Sequence, residues 1–260
     1  MYLNDLEDFL KRKCTGINLD IDIDDTIYYL QLLVLIYADD TVIFSKDQEG
    51  LQKSMDCFSE YCDIWKLKVN YSKTKVLIFG ARKTNKFSFF INNNNIDIVK
   101  EFKYLGIYFS SSGSFLKCRK HVIEQANKAL FQLFYKINNL NLPVDLQLKL
   151  FDHTIMPILT YGSEVWGYEN LDLIEQFHCN FLRRITKSRK STPRYMLYAE
   201  LSRLPVDIII KSRMVKFWSR VLQSKHEKNS FMLYQYIFRS EHNFRWLAHL
   251  KGIFDSTGYS

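Results

Sequence analysis

Apolar positions follow a period of two in the first part of the chain and a helical period in most of the rest. Residues 3–13 have helical spacing and read as the end of a helix. In "GINLDIDIDD", Ile17, Leu19, Ile21 and Ile23 alternate with Asn18, Asp20, Asp22 and Asp24. Strict alternation predicts a half-buried strand, because successive side chains point to opposite faces. Asp24 and Asp25 suit a turn. Residues 32–37 and 41–44 are rich in β-branched and aromatic side chains and predict two further strands. They close a hairpin across Ala38, Asp39 and Asp40.

Asp47 is placed to cap a helix in which Leu51, Met55, Phe58, Cys62 and Trp65 form one apolar face. A strand is expected over residues 75–79. "INNNNID" reads as a polar loop, and "EFKYLGIYFSSSG" as two short strands around Gly106. From Leu116 the period is helical. Ile123, Ala126, Leu130, Leu133 and Ile137 predict one long amphipathic helix. Pro143 suits the first position of the next, which Leu146, Leu150 and Ile155 continue. "PILTYGSEVWG" is a turn-bounded break. Leu173, Phe177, Phe181 and Ile185 mark another helix, "KSRKSTPR" a basic loop, and residues 194–201, 206–223 and 230–239 three more helical stretches. The expected class is α+β: a small α/β unit over residues 1–115, then an all-helical unit over residues 116–260. No element is expected in the final segment ending "DSTGYS".

Composition adds little until it is divided. Of 260 residues, 47% are hydrophobic and 25% charged, which is ordinary for a folded chain and excludes disorder. The start, "MYLNDLEDFLKRK", has no apolar signal segment, and the longest apolar run is too short to span a bilayer. The chain is therefore expected to be intracellular and away from membranes. Five scattered cysteines without a CxxC pair suggest reduced thiols and no disulfide-linked partner. Charge is uneven. Residues 1–63 hold 5 Lys/Arg against 14 Asp/Glu, and residues 64–260 hold 31 against 14, within an overall +8. An acidic head on a basic body suits a metal-binding patch beside a polyanion-binding surface.

Two adjacent aspartates at a hairpin tip have a plain explanation, since Asp favours turns. They also have a chemical one. Hard carboxylate oxygens suit Mg²⁺, and two-metal phosphoryl transfer needs carboxylates on a rigid support. "YADD", followed by "WKLKVNYSKTKVLIFG" and then "FKYLGIYFSSSG", resembles the reverse transcriptases of non-long-terminal-repeat retrotransposons, the long interspersed elements. In that resemblance Tyr37-Ala38-Asp39-Asp40 matches motif C, and the helix from Asp47 with Lys73, Thr74 and Lys75 looks like motif D. Phe102, Lys103, Tyr104, Leu105 and Gly106 look like motif E, the primer grip. The helical part resembles the thumb and its extension.

The resemblance implies a partial polymerase palm followed by a thumb-like region, acting on an RNA template and a DNA primer with Mg²⁺. Asp39 would be a metal ligand and Asp40 a carboxylate of lesser role. Lys73 or Lys75 would protonate the leaving pyrophosphate, or both are phosphate-contacting strand residues. Residues 102–106 would hold the primer end, or form an ordinary hairpin. Arg183, Arg184, Lys187, Arg189, Lys190 and Arg194 would contact nucleic-acid backbone, or belong to a solvated loop and helix end. The family's motif A aspartate and glycine-rich motif B have no match in the sequence. "MYLNDL" looks like the segment that follows motif B; Asp25 lies too close to Asp39 to substitute for motif A, and Asp20 and Asp22 read as the solvent side of a strand. The expected function is a fragment of an RNA-directed DNA polymerase, inactive alone. The alternatives are a non-catalytic basic nucleic-acid-binding module and an expressed transposon relic.

Overall fold

The computed structural model describes residues 5–23, 26–80, 87–137, 140–224, 229–240 and 244–258. Helix and strand are mixed, as the α+β expectation holds. The first helix is α1 (Leu6–Lys11). Strands β1 (Ile17–Ile23) and β2 (Thr26–Leu32) are antiparallel, with Ile17 opposite Leu32 and Leu19 opposite Leu30. The turn expected at Asp24–Asp25 lies outside the described residues. The strand expected over 32–37 divides: Leu32 ends β2, Leu33 is buried between strands, and β3 (Val34–Tyr37) begins a new hairpin with β4 (Asp40–Ile43).

Helix α2 (Gln48–Ile64) starts where Asp47 is extended and its carboxylate accepts a 2.7 Å hydrogen bond from the Gly50 N–H. This satisfies one of the donors every helix start leaves open. Strand β5 is only Val76–Leu77, shorter than expected. The expected loop "INNNNID" instead contains a hairpin of β6 (Phe90–Ile91) and β7 (Asn94–Asn95). Its tip, Asn92 and Asn93, has φ of 46° and 61°, a backbone region that Asn tolerates better than most residues and that tight hairpins require. Strand β8 (Ile98–Val99) runs parallel to β5, and β9 (Glu101–Tyr104) pairs with β10 (Ile107–Ser110).

The remaining elements are helical: α3 (Leu116–Ile137), α4 (Val144–Thr154), α5 (Met156–Leu159), α6 (Ser163–Trp166), α7 (Asp172–Thr186), α8 (Arg194–Glu200), α9 (Val206–Leu222), α10 (Asn229–Arg239) and α11 (Arg245–Thr257). Pro143 sits one residue earlier than expected, at the N-cap of α4. "PILTYGSEVWG" is two short helical turns, α5 and α6, separated by Gly162 at φ 64°. Helix α11 fills the segment for which no element was expected.

The chain divides into two compact units. The first is Met1–Phe102 with Ser110–Gly113 and Ser224–His242; the second is Lys103–Phe109 with Ser114–Gln223 and Asn243–Ser260. The division thus differs from a single cut after residue 115. Helix α10 goes with the first unit because Met232, Leu233 and Tyr236 pack on Leu19, Ile21, Leu30 and Leu32 of the β1–β2 ribbon. The first unit has two further apolar clusters. Leu10, Leu33, Val34, Cys57 and Tyr61 join α1, α2 and the root of β3; Met55, Val76, Phe89, Ile91 and Ile96 lie beneath α2. The second unit has one larger core from α3 to α9, where Phe151 and Phe181 stack with ring centres 3.9 Å apart. All five cysteines are free and buried. No helix among the described residues is long and apolar enough to cross a membrane.

Candidate metal and nucleic-acid site

Asp39 and Asp40 stand at the tip of the β3–β4 hairpin, where Tyr37 pairs with Asp40 and only Ala38 and Asp39 make the connection. A two-residue connection that matches strand twist needs positive φ. Ala38 supplies it at φ 56°, at a cost of about 1–2 kcal/mol for a residue with a Cβ. Both carboxylates are exposed, as is Tyr37 at 63%. Leu35 and Ile36 are exposed as well, so β3 is buried only at its root, Val34. Two hard oxygen donors on a turn are the right chemistry for a divalent cation. They do not make a complete site: among the described residues, no group of three or more His, Cys, Asp or Glu side chains is gathered to hold a metal ion.

Lys73 and Lys75 differ. The Asn70 carbonyl accepts from the N–H groups of Lys73 and Thr74 at 3.1 and 3.0 Å and from the Thr74 hydroxyl at 2.9 Å. This tight turn leaves the Lys73 side chain exposed. Lys75 is less exposed and its ammonium lies 2.6 Å from Asp97 Oδ2.

Phe102, Lys103, Tyr104, Leu105 and Gly106 form β9 and its turn. Leu105 and Gly106 have φ of 47° and 82°. In the second unit, the Tyr161 hydroxyl donates to the Leu105 carbonyl at 2.8 Å. A Cβ at Gly106 would come within 2.8 Å of the Tyr161 ring, and one at Gly162 within 2.7 Å of Ile107. The glycines of "YLG" and "YGS" are therefore fitted to each other. Lys103 and Lys117 both lie 5.9 Å from the centre of the Tyr108 ring, which also packs edge-on against His121. Burial, and then the Lys103 charge, lower the His121 pKa.

Of the six basic candidates, Arg184, Lys187, Arg189, Lys190 and Arg194 are exposed. Arg183 is half-buried and donates to the Thr192 carbonyl at 3.0 Å, bracing the loop that carries the others. Arg184 lies over the Phe134 ring at 3.7 Å. Sequence reasoning missed two exposed aromatics on α3, Phe131 at 73% and Tyr135 at 81%. They were visible as aromatics four residues apart, off the apolar stripe of the helix. It also missed the buried Arg119–Glu169 pair, which nothing in the local pattern marks.

Residues 1–109 match the family described as reverse transcriptase (RNA-dependent DNA polymerase). The RNA-directed DNA polymerase from mobile element jockey of Drosophila melanogaster is 24% identical over 182 residues, covering 66% of this chain and 19% of that protein. The jockey polymerase of Drosophila funebris is 25% identical over 170 residues, covering 60% and 18%. The chain is similar to the non-long-terminal-repeat reverse transcriptases. It spans less than two thirds of either jockey polymerase, 19% and 18% of their lengths. A transposon-derived protein of Caenorhabditis elegans is 25% identical over 158 residues, covering 58% of this chain and 55% of that protein. No solved structure matches the chain.

Proposed function

We propose that these 260 residues are part of a retrotransposon RNA-directed DNA polymerase, comprising the end of a palm and a thumb-like helical region, and that they are inactive alone. The observation that carries this is the placement of Asp39 and Asp40 on a two-residue hairpin tip inside the segment matching the reverse transcriptase family. In this reading Asp39 is a Mg²⁺ ligand and Asp40 its neighbour, and the pair supplies only part of the metal site. Lys73 is the better placed of the two lysines to meet a phosphate, because Lys75 already faces Asp97. Phe102, Lys103, Tyr104, Leu105 and Gly106 form the primer grip. The template is RNA and the primer DNA.

The test is primer extension on an RNA template by the purified chain with Mg²⁺. No product above background is expected. Extension that disappears in Asp39→Asn would overturn the inactivity and make the hairpin tip part of a complete site.

A second reading, a non-catalytic nucleic-acid-binding module, is favoured by the basic body and by the exposure of Arg184, Lys187, Arg189, Lys190 and Arg194. It predicts binding of an RNA–DNA hybrid that weakens steeply with salt and is indifferent to Asp39→Asn. Loss of binding in that variant would remove it.

A further inference from the structure

We propose that the groove between the start of α3 and the first turn of α11, in the second unit, binds the phosphate group of a nucleotide or of a polynucleotide end. The groove goes beyond the polymerase reading, which assigns it no role. It has a volume of about 620 Å³ and its lining includes Arg119, Tyr168, Glu169, Arg245 and His249. That is far more room than a phosphate needs and is on the scale of small-ligand sites.

The charges in the groove are unbalanced in favour of an anion. Glu169 is its only carboxylate among the lining residues, and it is engaged twice. It accepts the Phe115 N–H at 3.1 Å, closing the start of α3, and it accepts from the Arg119 guanidinium. Arg119 has a side chain only 7% exposed, yet its Nε is buried without an acceptor. A buried N–H with no partner is rare and unfavourable, and an oxygen ligand would satisfy it. His249 repeats the pattern, with Nε2 buried and unpartnered.

Arg245 and His249 are one turn apart on α11, so they present to the same side of the helix. Arg245 is exposed at the first helical position. The first turn of α11 carries neither a side-chain cap nor an acidic residue. A helix start with open N–H groups carries partial positive charge and favours anions. Arg245, Arg119 with its unpartnered Nε, and this helix end thus border one groove. Tyr168 offers a ring along its wall, suited to the flat part of a nucleotide.

The experiment is calorimetric titration of the purified chain at low salt with inorganic pyrophosphate, with adenosine monophosphate, and with one short oligonucleotide bearing either a 5′-phosphate or a 5′-hydroxyl. Binding of pyrophosphate is expected, weakened about tenfold or more in Arg245→Ala and only partly in Arg245→Lys, as for loss of one charged hydrogen-bonding group. Adenosine monophosphate binding tighter than pyrophosphate identifies a nucleotide pocket. Preference for the 5′-phosphorylated oligonucleotide identifies a polynucleotide end. Absence of pyrophosphate binding in a chain that melts cooperatively would overturn the proposal, as would equal affinity in Arg245→Glu. A Lys187→Glu/Lys190→Glu variant separates this from the polymerase and binding-module readings. It is expected to weaken oligonucleotide binding and leave pyrophosphate binding unchanged.

Discussion

The hydroxyl of Tyr161 reaches across 56 residues of sequence to donate a 2.8 Å hydrogen bond to the carbonyl of Leu105. Leu105 and Gly106 both have positive φ, so this bond fixes a turn that the backbone would otherwise adopt reluctantly. The Tyr161 carbonyl in turn accepts from the buried Trp166 indole at 2.9 Å.

Gly106→Ala places a Cβ against the Tyr161 ring at φ 82°. It is expected to cost about 1–2 kcal/mol from the backbone alone, read from denaturant unfolding. Tyr161→Ala removes the ring. In the double variant the losses are expected to sum to less than the two single values, because the clash disappears with the ring. Strict additivity would mean that ring and glycine are not coupled.

Glu175 is buried in the second unit. Its carboxylate accepts from the Tyr198 hydroxyl and, at 3.2 Å, from the Asp207 N–H in the first turn of α9. His178 Nδ1 lies 3.6 Å away. Burial pushes the carboxyl pKa up, but the surrounding donors outweigh it and the net shift is downward from 4.5. A lowered folded-state pKa stabilises the fold above the ordinary value and loses that contribution as pH falls through the lowered value. Glu175→Gln is expected to cost about 1–3 kcal/mol near neutral pH and to flatten the acid limb of a stability-against-pH curve. An unchanged acid limb would assign the acid sensitivity to other carboxylates.

Asp47→Ala removes the cap on α2 and leaves the Gly50 N–H without its 2.7 Å partner. The expected loss is about 1 kcal/mol. Asp47→Asn retains an acceptor and is expected to lose less. Hydrogen exchange at Gly50 and Leu51 reads the effect locally, and equal protection in both variants would argue that the cap is idle.

Charge reversal in the basic loop tests the nucleic-acid face. Each basic side chain that no longer neutralises a phosphate is expected to reduce the slope of log affinity against log salt by about 0.9 on a duplex. Lys187→Glu, Arg189→Glu and Lys190→Glu are expected to lower it. Arg183→Ala is expected to loosen the loop through the Thr192 carbonyl, lowering stability as well as binding. Equal slopes in all variants would place the binding surface elsewhere.

The elements read most easily were those whose cause is local. Asp47 and the spacing of Met55, Phe58 and Cys62 specify α2 within a short window, and the alternation from Ile17 to Ile21 specifies β1. Leu33 gave no sign that it separates two ribbons, because an unbroken apolar run looks the same whether it is one strand or two. Asn92 and Asn93 were legible only as part of a polar loop, because four consecutive asparagines masked the short strands that flank their turn. Helix α11 was missed although Leu247, Leu250 and Phe254 keep helical spacing. The packing of Met232 on Ile21 and the pairing of Lys75 with Asp97 were not legible, since each depends on chain segments brought together only by folding. At the candidate site, the residue types and the hairpin were visible in "YADD". The bond that ties Lys75 down and the exposure of β3 were not.

Among the described residues β3 pairs with β4 alone, so the hairpin is a cantilever: clamped at one end and loaded at the other. Its clamp is Val34 and Ile43 in the cluster with Leu10, Cys57 and Tyr61. The carboxylates sit several residues further out, about 3.4 Å per residue along the strand, so a small tilt at the root becomes a larger displacement at Asp39. The aim of the two carboxylates is therefore set by apolar packing between α1 and α2, and removing a methyl group there shifts acidic oxygens that it never touches.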